Sequence, residues 1–267
     1  MNISKEFVNI YKEYLREINV YKKTIKSVEN MKKKIEKKQV MATEEEMNLV
    51  EKEELTKADE FSCNKDKIYY FSNGDKYIGK IEKNELNGKG YYVMYDDGKI
   101  TMEYMGEFKS NLREGIGQCK FENENTYLGY FKDDLMNGIG QMYYSNGDEY
   151  LGQWKSGKKH GIGIFIWNDK VRYEGEFKEG KMDGEGRCFD NNEKLIYEGQ
   201  WKNNLIHGFG TYMWEDGKRY EGEFMHGKKH GEGSFYLNGE LVYEGTWKFD
   251  KPSIFGRTLD ELFCVKL

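Results

Sequence analysis

Residues 150–167 read Tyr-Leu-Gly-Gln-Trp-Lys-Ser-Gly-Lys-Lys-His-Gly-Ile-Gly-Ile-Phe-Ile-Trp, and this stretch is one copy of a motif that recurs along most of the chain. The motif is Tyr-x-Gly-x-aromatic, followed by a Gly-x-Gly that begins eleven positions after the tyrosine. We number repeat positions from this tyrosine, which is position 0. Copies begin about every 23 residues, at Tyr77, Tyr104, Tyr127, Tyr150, Tyr173, Tyr197, Tyr220 and Tyr243.

A regular period of this kind indicates a repeat array, in which each unit buries its apolar face against its neighbours. The composition agrees, because hydrophobic residues make up only 37% of the chain while aromatic residues reach 15%. Such a chain is poor material for one deep aliphatic core, but stacked aromatic units need none. Most of the 31 glycines fall at fixed repeat positions, which argues against a flexible glycine-rich linker.

The spacing within the motif predicts two strands per unit. Side chains of a strand alternate between two faces, so positions 0, 2 and 4 share one face, and positions 11, 13, 15 and 17 share one face of the next strand. We expect the glycines to make room for a ring from the adjacent hairpin. Turn sequences such as residues 156–160 separate the strands, and Asn-Gly or Asp-Gly pairs such as Asn146-Gly147 join the units.

The predicted fold class is therefore an all-β repeat array, in which consecutive antiparallel β-hairpins form one elongated twisted sheet. The repeat domain is expected over residues 61–248, with about eight units. At about 4.8 Å between strands, such a sheet would span roughly 75 Å along the stacking direction.

Residues 1–60 contain no glycine and form a separate, helical module in this interpretation. A heptad seam predicts a first helix, which would pack on another copy, on another protein as a coiled coil, or on the repeat sheet. A capping box at residues 43–46 predicts a second, short helix to about residue 59. The seam consists of Phe7, Tyr11, Tyr14, Ile18, Tyr21, Ile25, Val28 and Ile35.

The two predicted helices carry opposite charge. Residues 1–38 hold eleven Lys or Arg against five Glu, and residues 44–60 hold two Lys against eight acidic residues. Either a helical hairpin or head-to-tail pairing with another chain would use this opposition. At the other end, residues 249–267 are interpreted as a capping tail, with Thr258 and Glu261 at capping-box spacing. The tail would cover the open last strand or bind a partner.

Several classes of protein are disfavoured by composition. The chain has no run of about 18 apolar residues and no signal-peptide pattern at its N-terminus, which predicts an intracellular protein. A net charge of -5 disfavours broad nucleic-acid binding. The cysteines form neither a zinc motif nor a disulfide framework, since they are far apart, at Cys63, Cys119, Cys188 and Cys264.

No catalytic, cofactor-binding or metal-ligating residues are predicted. His160, His207 and His230 all occupy position 10, where other units have Asn, Asp or Glu, so we interpret position 10 as a turn position. Cys119 and Cys188 share position 15 with large apolar residues and are interpreted as core fillers. The Gly-x-Gly pairs lack the strand-loop-helix context and the Gly-Lys-Ser/Thr of a phosphate loop.

Three surfaces remain as candidate binding sites. The first is an aromatic trough at position 4, made of Phe108, Phe131, Trp154, Phe177, Trp201, Phe224 and Trp247. The second is an apolar outer stripe at position 1, made of Ile78, Met105, Leu128 and Leu151, which would dock either the N-terminal helices or a partner. The third is a basic edge, either solvated or bound to anionic lipid heads, with Lys158, Lys159, Lys181, Lys228 and Lys229.

The Tyr-x-Gly-x-aromatic plus Gly-x-Gly pattern at this spacing resembles the MORN repeat (membrane occupation and recognition nexus) over residues 77–248. The resemblance implies a β-sheet scaffold of cytoskeletal, ciliary or membrane-associated assemblies; the family includes junctophilins, radial spoke head proteins and plant phosphoinositide kinases. The resemblance does not extend to a kinase domain or to the membrane-spanning C-terminus of junctophilins.

We therefore expect a non-enzymatic scaffold subunit of a multi-protein assembly, in a cilium or another microtubule-based structure. The first alternative is a peripheral membrane adaptor that binds phosphoinositides. The second alternative is a regulatory subunit of an enzyme carried on a separate chain.

Overall fold

The computed structural model describes residues 68–253, together with Lys26, Glu29 and Lys33, which have helical backbone and exposed side chains. The predictions of a heptad helix, a second short helix and their charge pairing otherwise lie outside the described residues. The predicted tail is described only as far as Ser253.

The described chain folds as one 17-stranded β-sheet in which strands pair antiparallel in chain order, confirming the predicted array of hairpins. The strands are β1 Ile68–Tyr70, β2 Lys76–Glu82, β3 Glu85–Asp96, β4 Lys99–Lys109, β5 Leu112–Phe121, β6 Thr126–Lys132, β7 Leu135–Tyr143, β8 Glu149–Lys155, β9 Lys158–Ile166, β10 Arg172–Lys178, β11 Lys181–Phe189, β12 Leu195–Lys202, β13 Leu205–Met213, β14 Lys218–Met225, β15 Lys228–Leu237, β16 Glu240–Lys248 and β17 Lys251–Pro252.

The described residues divide into two compact units. The N-terminal unit contains residues 68–147 and 153–157, and the C-terminal unit contains residues 148–152 and 158–253. Each is described below by itself. We call the sheet face of positions 0, 2 and 4 the inner face and the opposite one the outer face.

The tyrosine at position 0 lies flat over two glycines of its own hairpin. A Cβ atom on Gly152 would come within 2.5 Å of the Tyr150 hydroxyl oxygen, and a Cβ atom on Gly163 would be equally close to the ring. Position 0 is two residues from position 2 along one face, so the ring reaches over it. The prediction that this ring comes from the adjacent hairpin is therefore wrong, because it comes from the same hairpin. Seven of these tyrosines are 0% exposed, namely Tyr77, Tyr104, Tyr127, Tyr150, Tyr173, Tyr197 and Tyr220.

Five of these rings also pack edge-on between two aromatic residues at position 4, namely Tyr104, Tyr127, Tyr173, Tyr197 and Tyr220. In the N-terminal unit, the ring centroid of Tyr104 lies 5.0 Å from that of Phe108 and 5.1 Å from that of Phe131, both in T-shaped contact. In the C-terminal unit, Tyr220 contacts Phe224 at 5.1 Å and Trp247 at 5.2 Å in the same way. This geometry is the favourable one for aromatic quadrupoles, so the ladder of rings forms the core of each unit.

Two-residue turns close the hairpins and hold consecutive repeats together. Asn203 and Asn204 both have positive φ, 50° and 69°, as a type I′ turn requires. The N–H of Asn204 donates to the carbonyl oxygen of Met182 at 2.9 Å, and its Oδ1 accepts the N–H of Met182 at 2.8 Å. Met182 occupies position 9 of the preceding repeat, so this turn fixes the backbone at position 9.

Candidate functional site

The position-4 rings predicted to line a partner-binding trough are mostly buried in the ladder. Phe108 is 6% exposed and Trp247 is 1% exposed, while Trp201 is half-buried. Their faces and edges are already occupied by the tyrosines on either side. Partner binding by these seven rings stays a prediction, but most of their area is committed to packing within each unit.

The predicted outer stripe is partly covered as well. In the N-terminal unit, Ile78 is 7% exposed because it packs with Tyr91 and Val93, and Met105 packs against this cluster. Leu128, in the N-terminal unit, and Leu151, in the C-terminal unit, are half-buried. The apolar area offered at the first two repeats is therefore smaller than the sequence suggested.

The last four repeats carry glutamate at position 1 of the same outer face, and Glu174 among them is buried. Glu174 is 8% exposed, and its carboxylate pairs with Arg172 at 2.6 Å and with Arg187 at 3.1 Å. Arg187 lies at position 14 directly across the strand pair from Glu174. Cross-strand pairing of opposite charges explains the burial. Glu198 and Glu244, at the equivalent position, are exposed.

Three of the five predicted edge lysines lie at the surface. Lys158 is exposed and pairs with Glu179 at 2.7 Å. Lys181 donates to the Oδ1 of Asn203 at 3.2 Å, and Lys228 is exposed. Lipid binding by these residues stays a prediction, and the Lys158–Glu179 pair reduces the positive charge available for it.

The other two predicted edge lysines are not edge residues. Lys159 and Lys229 occupy position 9, which has the same parity as positions 11, 13 and 15, so both side chains point to the inner face. Lys229 Nζ lies 4.6 Å from the ring centroid of Trp247, 5.3 Å from that of Trp214, 5.4 Å from that of Phe235 and 5.8 Å from that of Tyr220. The ammonium group is thus surrounded by four aromatic rings.

A similar arrangement holds Lys159 in the C-terminal unit. Its Nζ lies 4.3 Å from the ring centroid of Phe165, and the rings of Tyr150 and Phe177 are 5.5 and 5.6 Å away. Burial lowers the pKa of Lys159 to about 8, against a smaller raising effect of Asp148. In the N-terminal unit, Arg113 takes this position and lies over Phe131 at 5.2 Å.

The sequence analysis did not predict that these three cations lie on the inner face, although strand parity indicates this position for them. The remaining position-9 residues in the described sheet are apolar, namely Leu86, Met136, Met182, Ile206 and Pro252. A lysine or arginine at a position that otherwise holds aliphatic side chains is a departure from the inner-face pattern. Lys159 and Lys229 directly follow a hairpin turn in sequence, so sequence proximity groups them with the turn lysines.

Position 10 serves the next turn, in agreement with its interpretation as a turn position. Asn87 Oδ1 accepts the N–H of Ser110 at 3.1 Å, and Asp183 Oδ2 accepts the N–H of Asn203 at 3.2 Å. Side chains with an acceptor fit this role, which explains why Asn, Asp, Glu and His alternate there. The Nδ1 atoms of His160 and His230 are buried without a hydrogen-bond partner. Within residues 68–253, no three His, Cys, Asp or Glu residues converge as a metal site.

The two described cysteines are placed as the sequence indicated. Cys119 is 0% exposed, and burial raises the pKa of its thiol to about 11, an effect that Arg113 opposes. Cys188 is half-buried and packs against the aromatic core of the C-terminal unit. A buried, protonated thiol is a poor nucleophile, which favours the interpretation as core fillers.

No helix in the described part of the chain has the length and apolarity needed to cross a membrane. Among solved structures, two have limited similarity to this chain: the SAS-4 (dCPAP) TCP domain of Drosophila melanogaster in complex with a proline-rich motif of Ana2, and the TCP10 domain of Danio rerio CPAP. The first is 13% identical with a TM-score of 0.33, covering 72% of this chain and 97% of that chain. The second is 9% identical with a TM-score of 0.28, covering 68% and 100%.

A search of curated proteins finds no match. The family model for the MORN repeat, in contrast, matches this chain seven times, over more than half of its length. The matched residues are 104–126, 127–149, 150–172, 173–193, 197–219, 220–239 and 243–253. Each segment begins at a position-0 tyrosine, so the motif that the model detects is the one that builds the sheet. The chain belongs to the MORN repeat family.

Proposed function

We propose that this protein is a non-enzymatic scaffold subunit that binds segments of partner proteins on the inner face of its repeat sheet. The MORN repeat is a non-catalytic repeat of the scaffold type. A scaffold needs a surface on which another chain can lie, and the C-terminal unit has one. There, half-buried rings stand beside the mostly buried ladder, as in the pairs Phe165–Trp167 at 4.9 Å and Tyr212–Trp214 at 4.6 Å.

The single observation that carries this proposal is the incomplete burial of four rings at positions 15 and 17, namely Phe165, Trp167, Tyr212 and Trp214. All strands described between residues 68 and 253 belong to one sheet, so no second sheet layer among them covers these rings. Tryptophan and tyrosine that keep part of their surface exposed are typical of protein interfaces. The setting in a cytoskeletal, ciliary or axonemal assembly is an expectation from the family resemblance and is part of the same proposal.

The test is affinity purification of the full chain from its native cells, followed by identification of the bound proteins. Trp214→Ser removes a half-exposed ring of the inner face, and Thr211→Ser on the outer face serves as the control. Loss of specific partners with Trp214→Ser but not with Thr211→Ser, with equal unfolding midpoints, supports the scaffold. Equal recovery of the same partners with both variants contradicts binding by the inner face.

The membrane-adaptor alternative rests on the exposed lysines at the turns. Flotation with vesicles of phosphatidylcholine containing phosphatidylinositol 4,5-bisphosphate distinguishes it from the scaffold. Tight binding that is abolished by Lys158→Glu with Lys228→Glu would favour the adaptor. A regulatory role toward an enzyme on another chain would instead show as a single co-purifying enzyme.

A further inference from the structure

The inner-face cations at position 9 differ in whether an acid already neutralises them. Arg113 is satisfied: its Nε donates to Asp134 Oδ1 at 3.1 Å, and its terminal nitrogen donates to the carbonyl oxygen of Asp134 at 2.7 Å. Asp134 belongs to the turn of the next repeat. A planar guanidinium has the reach and the fork needed to make both bonds, so this site is closed by the protein itself.

Lys229 has an acid at the same repeat position, Asp250, but does not pair with it. The Oδ1 of Asp250 accepts the backbone N–H of Lys229 at 2.9 Å, while the ammonium group lies among the rings instead. In the described part of the chain, no carboxylate lies within ion-pairing distance of Lys229 Nζ. Aromatic faces attract a cation but accept no strong hydrogen bond. The three N–H donors of this ammonium group therefore lack a charged acceptor.

The surroundings also define what would bind there. Burial lowers the pKa of Lys229, Asp250 acts in the opposite direction, and Lys218 adds to the lowering. Lys218 pairs with Asp216 at 2.7 Å. The position thus offers one unneutralised cation with aromatic walls. A phosphoinositide headgroup carries several negative charges and is bound by clusters of basic side chains. The Lys229 site has one ammonium group among aromatic rings, so it fits a single carboxylate that is flanked by apolar side chains.

We propose that the ring-enclosed ammonium group of Lys229 is the contact for a carboxylate of a partner segment, so that the inner face of the C-terminal unit selects acidic segments. This inference rests on the proposed scaffold function and names the partner class for the same face. A charge-assisted hydrogen bond in a partly desolvated pocket is stronger than one at the open surface. The half-buried ring of Trp214 would pack against the apolar neighbours of the acidic residue.

The test uses two displayed 12-residue peptide libraries that are identical except for a fixed central Glu in one and a fixed central Gln in the other. Both are selected on the full chain. Lys229→Met removes the charge and keeps the fold, because methionine occupies position 9 in two other repeats, at Met136 and Met182. Lys228→Met, one residue away on the exposed face, is the matched control.

We expect the unaltered chain and Lys228→Met to bind selected Glu peptides about tenfold more tightly than their Gln counterparts. With Lys229→Met, the preference disappears while binding of apolar peptides remains. Lys229→Arg should lose most of the preference as well, although it keeps the charge, because its guanidinium can pair with Asp250 as Arg113 does with Asp134. An unchanged preference in Lys229→Met or Lys229→Arg overturns the inference.

Two further outcomes separate this inference from the proposed function. Peptides that bind without any acidic preference overturn the role of Lys229 and leave the scaffold function intact. A selection that yields no binding peptide contradicts both. Vesicles of phosphatidylcholine with phosphatidylserine or phosphatidylinositol 4,5-bisphosphate provide the last arm: binding that depends on Lys229, without selection of Glu peptides, assigns the site to a membrane and overturns the inference.

Discussion

The hydroxyl of Tyr197 donates a hydrogen bond to the backbone carbonyl oxygen of Gln200, 2.9 Å away. Equivalent bonds link position 0 to the carbonyl of position 3 in most other repeats, for example from Tyr104 to Glu107 at 3.0 Å and from Tyr173 to Glu176 at 3.0 Å. The bond explains why the motif uses tyrosine: the ring covers two glycines, and the hydroxyl satisfies a carbonyl beside a register shift in the strand pair.

Tyr197→Phe tests the hydroxyl alone. We expect the free energy of unfolding to fall by about 1 kcal/mol, since the carbonyl of Gln200 loses its partner while the ring is retained. Urea unfolding followed by tryptophan fluorescence measures the change. A variant as stable as the unaltered protein would show that the hydroxyl bond contributes nothing beyond the packing of the ring.

Gly210→Ala tests the space beneath the ring. A Cβ atom on Gly210 would lie 2.6 Å from Cζ of Tyr197, which forces the buried ring or the strand to move. Overpacking of this kind costs about 1–3 kcal/mol. Thr211→Ala, on the opposite face of β13, is the control and should change the unfolding midpoint much less. Equal effects of the two substitutions would contradict the steric role of the glycine.

Glu174→Gln tests the buried ion pairs of the outer face. The substitution leaves Arg172 and Arg187 without their shared carboxylate in a position that is 8% exposed, and breaking a buried pair costs more than breaking a surface pair. We expect a loss of about 1–3 kcal/mol in the free energy of unfolding. Glu198→Gln, at the same repeat position but exposed, should have almost no effect.

The lowered pKa of Lys159 predicts that the stability of the protein depends on pH. Its pKa is lowered from 10.5 to about 8 by burial, so between these values the unfolded chain binds the proton more strongly than the folded chain. The destabilising contribution of the ammonium group is present below pH 8 and is relieved as the pH rises toward 10. The stability of the unaltered protein minus that of Lys159→Met should therefore increase over this range.

Urea unfolding of both proteins at several pH values measures this difference, in which the ionisation of the tyrosines common to both chains cancels. Titration of the Lys159 side chain by NMR is an independent measurement of its pKa. A stability difference that does not change with pH would mean that Lys159 is solvated in the folded protein.

The strands, the face on which each side chain lies and the hairpin turns were predictable, because they depend on local sequence. Positions 0, 2, 4, 11 and 13 determine strands and faces through the period of two, and turn residues such as Asn203 and Asn204 determine the hairpins. The core role of Cys119 followed from comparing equivalent positions. Strand parity puts Lys229 on the inner face, whereas its proximity to the turn in sequence suggested an edge position, and the edge prediction is wrong.

Other features depend on contacts between residues that are distant in the sequence. Whether Glu174 is solvated or paired depends on Arg187, which lies 13 residues away on the partner strand of the same hairpin. Whether a position-9 cation is neutralised depends on the turn of the next repeat, 21 residues away. The repeating sequence is thus sufficient to specify an antiparallel hairpin array with one aromatic face. Only the tertiary structure shows that most position-4 rings are buried by packing in the ladder. It also shows that the ammonium group of Lys229 forms no ion pair with a carboxylate of the described residues. The reason is physical: strand periodicity is a property of the backbone, whereas burial and ion pairing depend on which neighbours the stacked repeats bring within reach.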